Sequence, residues 1–169
     1  NGGSQVTEAG GTTSKTIVAE GGNQEIIGVD YNAAISGNQT VSSGGSTTGT
    51  TVFTGGSQTV MTGGNSKDTT VIGGTMQINE GAKITGRTTL NNKAKVILRN
   101  DLTKGVAGKY AIENLVSDNN GNDVVIGTGD DSKLYPQVVE KTGKANGILA
   151  KAAVAAQSSP VGRTLTINS

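Results

Sequence analysis

Small apolar residues recur singly along this chain between polar ones, in short alternations such as Gln-Thr-Val-Met-Thr at residues 58–62 and Thr-Thr-Val at 50–52 and 69–71. A period of two sends one side chain inward and the next outward, as in a strand. Threonine and valine favour strands, and the runs between glycine pairs are too short for helices. Val18, Val52, Val71 and Leu90 each follow a glutamine by thirteen residues, and Ile26, Val41 and Val60 follow one by two. These two sets predict two internal ladders of stacked aliphatic side chains.

The glutamines Gln5, Gln24, Gln39, Gln58 and Gln77 are spaced by 19, 15, 19 and 19 residues. Glycine pairs precede them and recur five and six residues later, giving the repeat GGxQxVxxGGxxxxTTVxx. Such a period predicts a solenoid in which each repeat is one turn. Glycine pairs supply positive φ and tight corners, so each turn reads as a rung of a parallel β-helix with two or three short strands. Rungs stack at roughly 4.8 Å, so five of them span about 24 Å. The unit after Gln24, "GVDYNAAIS", is four residues short and lacks its internal glycine pair. The glutamines are expected to stack as an amide ladder, with ligand contact as the other reading. The paired threonines read as exposed strand formers, whose hydroxyls could also accept sugars.

Composition explains why so little bulk is needed. Among 169 residues are 27 glycines, one phenylalanine and no tryptophan, and 33% of residues are hydrophobic. That is thin for a globular core of this length, but a narrow β-helix has room for one small aliphatic per strand. A formal charge of +1, from 14 basic and 13 acidic residues, argues against an electrostatic nucleic-acid binder. Lys93, Lys95 and Arg99 form the densest basic stretch and read as a solvated strand face. There are no cysteines, so no disulfide framework is expected.

"GGNQEI", "GGSQTVMTGGNSKDTTV" and "GGTMQINEGAKITGRTTLNNKAKV" resemble the repeats of AIDA-type self-associating autotransporter adhesins of Gram-negative bacteria. The likeness covers residues 1–98. It implies an all-β fold, a right-handed parallel β-helix (β-solenoid) with about one rung per 19-residue repeat. It also implies a passenger domain on the bacterial cell surface, acting in adhesion, cell–cell aggregation or biofilm formation. The partners it implies are another copy of the chain, a host receptor or glycan, and a heptosyltransferase acting on repeat Ser and Thr residues. The sequence holds no membrane barrel and starts within a repeat, so passenger material cut from a longer protein, or a departure from the family plan, is expected.

Residues 99–169 read as degenerate rungs with longer loops. Val96, Leu98, Val106, Ile112 and Leu115 suggest further inward positions, and "GRTLTINS" at the end resembles the strand pattern of later rungs. A short helix is expected near 145–157, where alanine and lysine dominate before Pro160. "NNGNDVVIGTGDDSKLY" resembles the calcium-binding nonapeptide GGxGxDxUx, with Asp123, Asp130 and Asp131 as candidate calcium ligands. The alternative is a plain Asp/Asn/Gly turn. No cofactor other than calcium is expected.

Catalysis is not expected: the chain has no histidine or cysteine, and its close acidic pair falls in a glycine-rich turn. Two functional classes remain. One is a noncatalytic adhesin that interlocks through its polar faces; the other is an extracellular filament subunit whose end rungs stack head to tail.

Overall fold

The structure, a computed structural model, describes residues 2–79, 81–99, 112, 114–117, 122–126 and 164–167. Its parallel strands stack into a β-solenoid of about five turns, with equivalent positions about 19 residues apart. Turn one consists of β1 (Ser4–Thr7), β2 (Thr12–Ser14) and β3 (Ile17–Val18), and turn two of β4 (Asn23–Ile26), β5 (Val29–Tyr31) and β6 (Ala34–Ile35). Turn three is β7 (Asn38–Val41), β8 (Ser46–Thr48) and β9 (Thr51–Phe53); turn four is β10 (Ser57–Val60), β11 (Asn65–Lys67) and β12 (Thr70–Ile72). Turn five is β13 (Thr75–Asn79), β14 (Lys83–Thr85) and β15 (Arg87–Asn91), followed by β16 (Lys95–Arg99), β17 (Asn114–Ser117), β18 (Asn122–Ile126) and β19 (Thr164–Ile167).

Three sheets form the walls. Sheet I stacks β1, β4, β7, β10, β13, β16 and β18; sheet II stacks β2, β5, β8, β11 and β14; sheet III stacks β3, β6, β9, β12, β15 and β17. The last strand departs from the sequence expectation. β19 does exist within "GRTLTINS", but it runs antiparallel to β18, pairing Asn122 with Ile167. A strand of that direction closes the ladder of sheet I and cannot be a further rung of the same helix. The helix expected near 145–157 lies outside the described residues.

The corners explain the glycine pairs. At the corner between sheets I and II the first glycine of a pair takes positive φ, 83° at Gly44 and 79° at Gly63. The second closes a tight turn, with Gly64 N donating to Met61 O at 2.9 Å. It also lies so close to the turn below that a Cβ on Gly64 would stand 2.7 Å from Val41 O. One glycine is therefore needed for its dihedral and its neighbour for its missing side chain. Between sheets II and III a single left-handed residue makes the corner in each turn: Lys15, Asn32, Gly49, Asp68 and Gly86, with φ from 53° to 73°. That dihedral turns the amide toward the following rung, so Lys15 N donates to Tyr31 O at 2.7 Å.

Turn two absorbs its four missing residues at two places. Ile27-Gly28 replaces the four-residue corner that Glu8–Gly11 makes in turn one, and Ser36-Gly37 replaces the corner made by Ala19–Gly22. Both short corners stay hydrogen-bonded, because consecutive amides share one carbonyl. Ile27 N and Gly28 N donate to Thr7 O at 2.8 and 2.9 Å; Ser36 N and Gly37 N donate to Val18 O at 2.8 and 3.0 Å.

Inside, the two aliphatic ladders are present. Val18, Ile35, Val52, Val71 and Leu90 stack in sheet III and Ile26, Val41, Val60 and Ile78 in sheet I, all buried. The glutamine ladder runs beside them. Gln24 Nε2 donates to Gln5 Oε1 at 2.9 Å, Gln39 Nε2 to Gln24 Oε1 at 2.7 Å, and Gln58 Nε2 to Gln39 Oε1 at 2.8 Å. Gln77 does not join it. The corner before β13 is Gly73-Gly74, one residue shorter than Thr54-Gly55-Gly56 before β10, so Met76 rather than Gln77 pairs with Gln58. A slip of one residue reverses a strand's facing, and the Gln77 amide bonds instead to Asn79 Oδ1 at 3.2 Å.

The threonine pairs also differ from expectation. Thr50, Thr69 and Thr88, the first of each pair, are fully buried, whereas Thr51, Thr70 and Thr89 face outward and are half-buried. In each pair the first threonine shares the inward face of the aliphatic residue two positions later, Val52, Val71 or Leu90, and in turn five Arg87 adds one residue between the corner and the pair.

Candidate functional site

The interior contains a polar network that is closed to solvent. Asp30 in β5 is fully buried, with Oδ1 accepting from Thr13 Oγ1 at 2.8 Å and Oδ2 from Gln39 Nε2 at 3.2 Å. Gln58 extends the network to Thr47 at 3.3 Å and accepts from Ser66 at 3.2 Å, and Ser66 meets Thr69 at 2.6 Å. Such partners are what a buried carboxylate needs. The sequence analysis missed Asp30. The signal was present in the column Thr13, Asp30, Thr47 and Ser66, four small polar residues at one inward position of sheet II.

No reactive cluster emerges from the described residues. Among them, no group of three or more His, Cys, Asp or Glu side chains comes together to hold a metal ion. Asp123 sits in β18, its backbone paired with Lys95 and Thr166. Its side chain, Asp130 and Asp131 lie outside the described residues. A cleft of roughly 300 Å³ opens at the first turn, lined by residues such as Gln5, Ile17, Val18 and Asn23. Its lining carries no ionisable side chain, so it offers no general acid or base.

The surface that the fold displays is the outside of the three sheets. Every outward position repeats at the rung spacing, so one residue becomes a row. On sheet I one row runs Ser4, Asn23, Asn38, Ser57, Thr75 and Lys95, and the next runs Val6, Glu25, Thr40, Thr59, Gln77 and Ile97. Side chains bond between rungs here: Asn38 donates to Asn23 within the first row at 3.2 Å, and Ser42, at the corner after β7, donates to Glu25 at 2.8 Å. Sheet II carries Ser14, Tyr31, Thr48, Lys67 and Thr85 in one row, and sheet III carries Thr51, Thr70 and Thr89. The larger apolar side chains that reach solvent, among them Ile17, Tyr31, Phe53 and Met61, are scattered rather than gathered into one patch.

Charge is distributed unevenly along the rod. On and beside sheet I, Glu8, Glu20 and Glu25 are exposed on turns one and two, and Lys93 and Lys95 are exposed beyond the body of turn five. Between them the face is neutral, made of Asn38, Thr40, Ser57, Thr59 and Thr75.

No family model matches this chain, and no curated protein sequence matches it. Among solved structures, it is similar to one described as the crystal structure of a TibC-catalyzed hyper-glycosylated TibA55-350 fragment. The two share 28% sequence identity with a TM-score of 0.48, over 58% of this chain and 42% of that one. The present chain therefore spans less than half the length of that fragment.

Proposed function

We propose that this chain is a noncatalytic adhesive module of the bacterial cell surface, joining cells or copies of itself through the flat outer faces of its solenoid. The observation that carries this reading is the set of hydroxyl and amide rows on sheet I, where Asn38, Thr40, Ser57 and Thr59 repeat at the rung spacing. A flat, polar, periodic face offers many weak hydrogen bonds and few apolar anchors, which suits reversible contacts made in number. The repeat resemblance to AIDA-type passengers agrees with this reading. The outward Thr51, Thr70 and Thr89 are accessible to a glycosyltransferase, whereas Thr50, Thr69 and Thr88 are sealed inside.

Sedimentation velocity over a wide concentration range, paired with settling of cells that display the chain, tests the proposal. Concentration-dependent growth of the species and cell clumping are expected. Clumping that survives substitution of the polar rows on each of the three sheets would overturn it.

A further inference from the structure

We infer that Met61 is an oxidation site on the rod surface, which takes one oxygen atom from a peroxide on a single, predetermined side of its sulfur. Sulfur occurs in this chain only at Met61 and Met76, because there is no cysteine. The fold treats the two in opposite ways. Met76 is fully buried inside sheet I, whereas Met61 is 39% exposed at the corner after β10. The inference stands apart from the adhesive reading and adds a chemical property to the same surface.

The sulfur of Met61 is held in place. Asn79 Nδ2 donates to Met61 Sδ at 3.2 Å. The two residues occupy one position of successive rungs, since Val60 pairs with Ile78 and each of these is followed by one of them. Gln77 Nε2 donates to Asn79 Oδ1 at 3.2 Å, which turns the Nδ2 side of that amide toward the sulfur. The backbones are fixed as well: Met61 N donates to Val41 O and Gly64 N to Met61 O, both at 2.9 Å, and Ala82 N donates to Asn79 O at 3.1 Å. A thioether sulfur has two lone pairs, one on each side of its C–S–C plane. With Asn79 on one of them, a reagent arriving from solvent meets the other.

In the reaction the open lone pair attacks one oxygen of the peroxide, so the S–O bond forms as the O–O bond breaks. The proton on the transferred oxygen passes to the departing hydroxide, giving water. Sulfur loses two electrons and the peroxide gains two. The sulfoxide is a stereocentre, so attack from one side gives one epimer in excess. Its oxygen projects into water, and the rod keeps its fold. At Met76 the same oxygen would be shut inside the rod, the costly case for a polar group.

The test treats the folded chain with dilute hydrogen peroxide and locates the added oxygen by peptide mass mapping. Met61 is expected to be oxidised at least about tenfold faster than Met76. After digestion, the two epimer-specific methionine sulfoxide reductases measure the epimers formed at Met61. One epimer is expected in at least about threefold excess, whereas the chain oxidised while unfolded in urea gives the two nearly equally. Asn79→Asp keeps an acceptor for Gln77 but has no donor, and it is expected to abolish the excess, as is Asn79→Ala. The urea midpoint of the chain oxidised at Met61 is expected to match those of the untreated chain and of Met61→Leu.

Oxidation of Met61 no faster than that of Met76, or the same epimer ratio in folded and unfolded chains, would overturn the inference. So would an excess that survives both Asn79 variants, or a midpoint that falls on oxidation of Met61. Should the Asn79 variants fail to fold, the comparison of folded with unfolded chain decides.

Discussion

Gln58 lies directly beneath Met76 in sheet I, and at this step the interior changes from hydrogen-bonded to aliphatic. The facing wall changes in the same step, since Ser66 of β11 is followed by Ile84 of β14. The two exchanges are coupled, because Ser66 Oγ is 3.2 Å from Gln58 Oε1 and supplies a hydrogen bond that Ile84 cannot. Met76→Gln is therefore expected to destabilise by about 1–3 kcal/mol, the range for a buried polar group with incomplete partners. Adding Ile84→Ser is expected to recover part of that loss. A double-mutant cycle in urea unfolding measures the coupling, and strict additivity would contradict it.

Asp30 ties sheet II to the glutamine ladder. Removing its carboxylate with Asp30→Ala takes one acceptor each from the Thr13 hydroxyl and the Gln39 amide, which keep only Thr7 Oγ1 and Gln24 Oε1 as partners. A loss of about 3 kcal/mol is expected, with a smaller loss for Asp30→Asn, which keeps one acceptor. Chemical denaturation midpoints of the two variants test the order.

The buried threonines divide by partner. Thr50 Oγ1 and Thr88 Oγ1 have no hydrogen-bond partner, whereas Thr69 Oγ1 meets Ser66 Oγ at 2.6 Å. Turn five shows why: Ile84 stands where Ser66 stood, so Thr88 has no hydroxyl to meet. Replacing a partnerless hydroxyl by a methyl group of similar shape is neutral or favourable. Thr50→Val and Thr88→Val are expected to hold or raise the thermal midpoint, and Thr69→Val to lower stability by about 1 kcal/mol.

The corners give the clearest contrast in glycine chemistry. A Cβ at Gly37 would clash with the carbonyl oxygens of Ala19 and Gly22, both part of the backbone below. At Gly44 nothing lies within 4 Å and only the positive φ of 83° opposes a side chain. Gly44→Ala is expected to cost about 1–2 kcal/mol, and Gly37→Ala more, because a carbonyl ladder must move. In the other direction, Lys15 holds φ of 56° with a side chain unsuited to it, and Lys15→Gly is expected to stabilise by up to about 1 kcal/mol. Equilibrium unfolding of the three variants checks the ranking.

Periodic residues made much of this architecture legible in the linear chain. Turn length, strand character, both aliphatic ladders and the glutamine stack from Gln5 to Gln58 follow from spacing, because stacked rungs place identical positions on top of one another. The glycine pairs announced the corners for a similar reason, since few other residues fit a positive φ beside a close backbone approach. Spacing did not reveal that the short second turn loses two residues at each of two corners, because a total of fifteen hides where the chain was cut. Nor did it place Gln77, Thr50, Thr69 and Thr88 on their correct faces. Facing is decided by the parity of residues since the last corner, and one residue fewer at Gly73-Gly74 turns an expected ladder member outward. Asp30 was hidden in the same way: an acid in sequence looks solvated, and only the closing of sheets I and II around it supplies Thr13 and Gln39 as partners. The arrangement of Glu20, Glu25, Lys93 and Lys95 along one wall likewise belongs to the tertiary structure. Residues seventy positions apart in the chain come to share one wall only when winding sets their strands in one sheet.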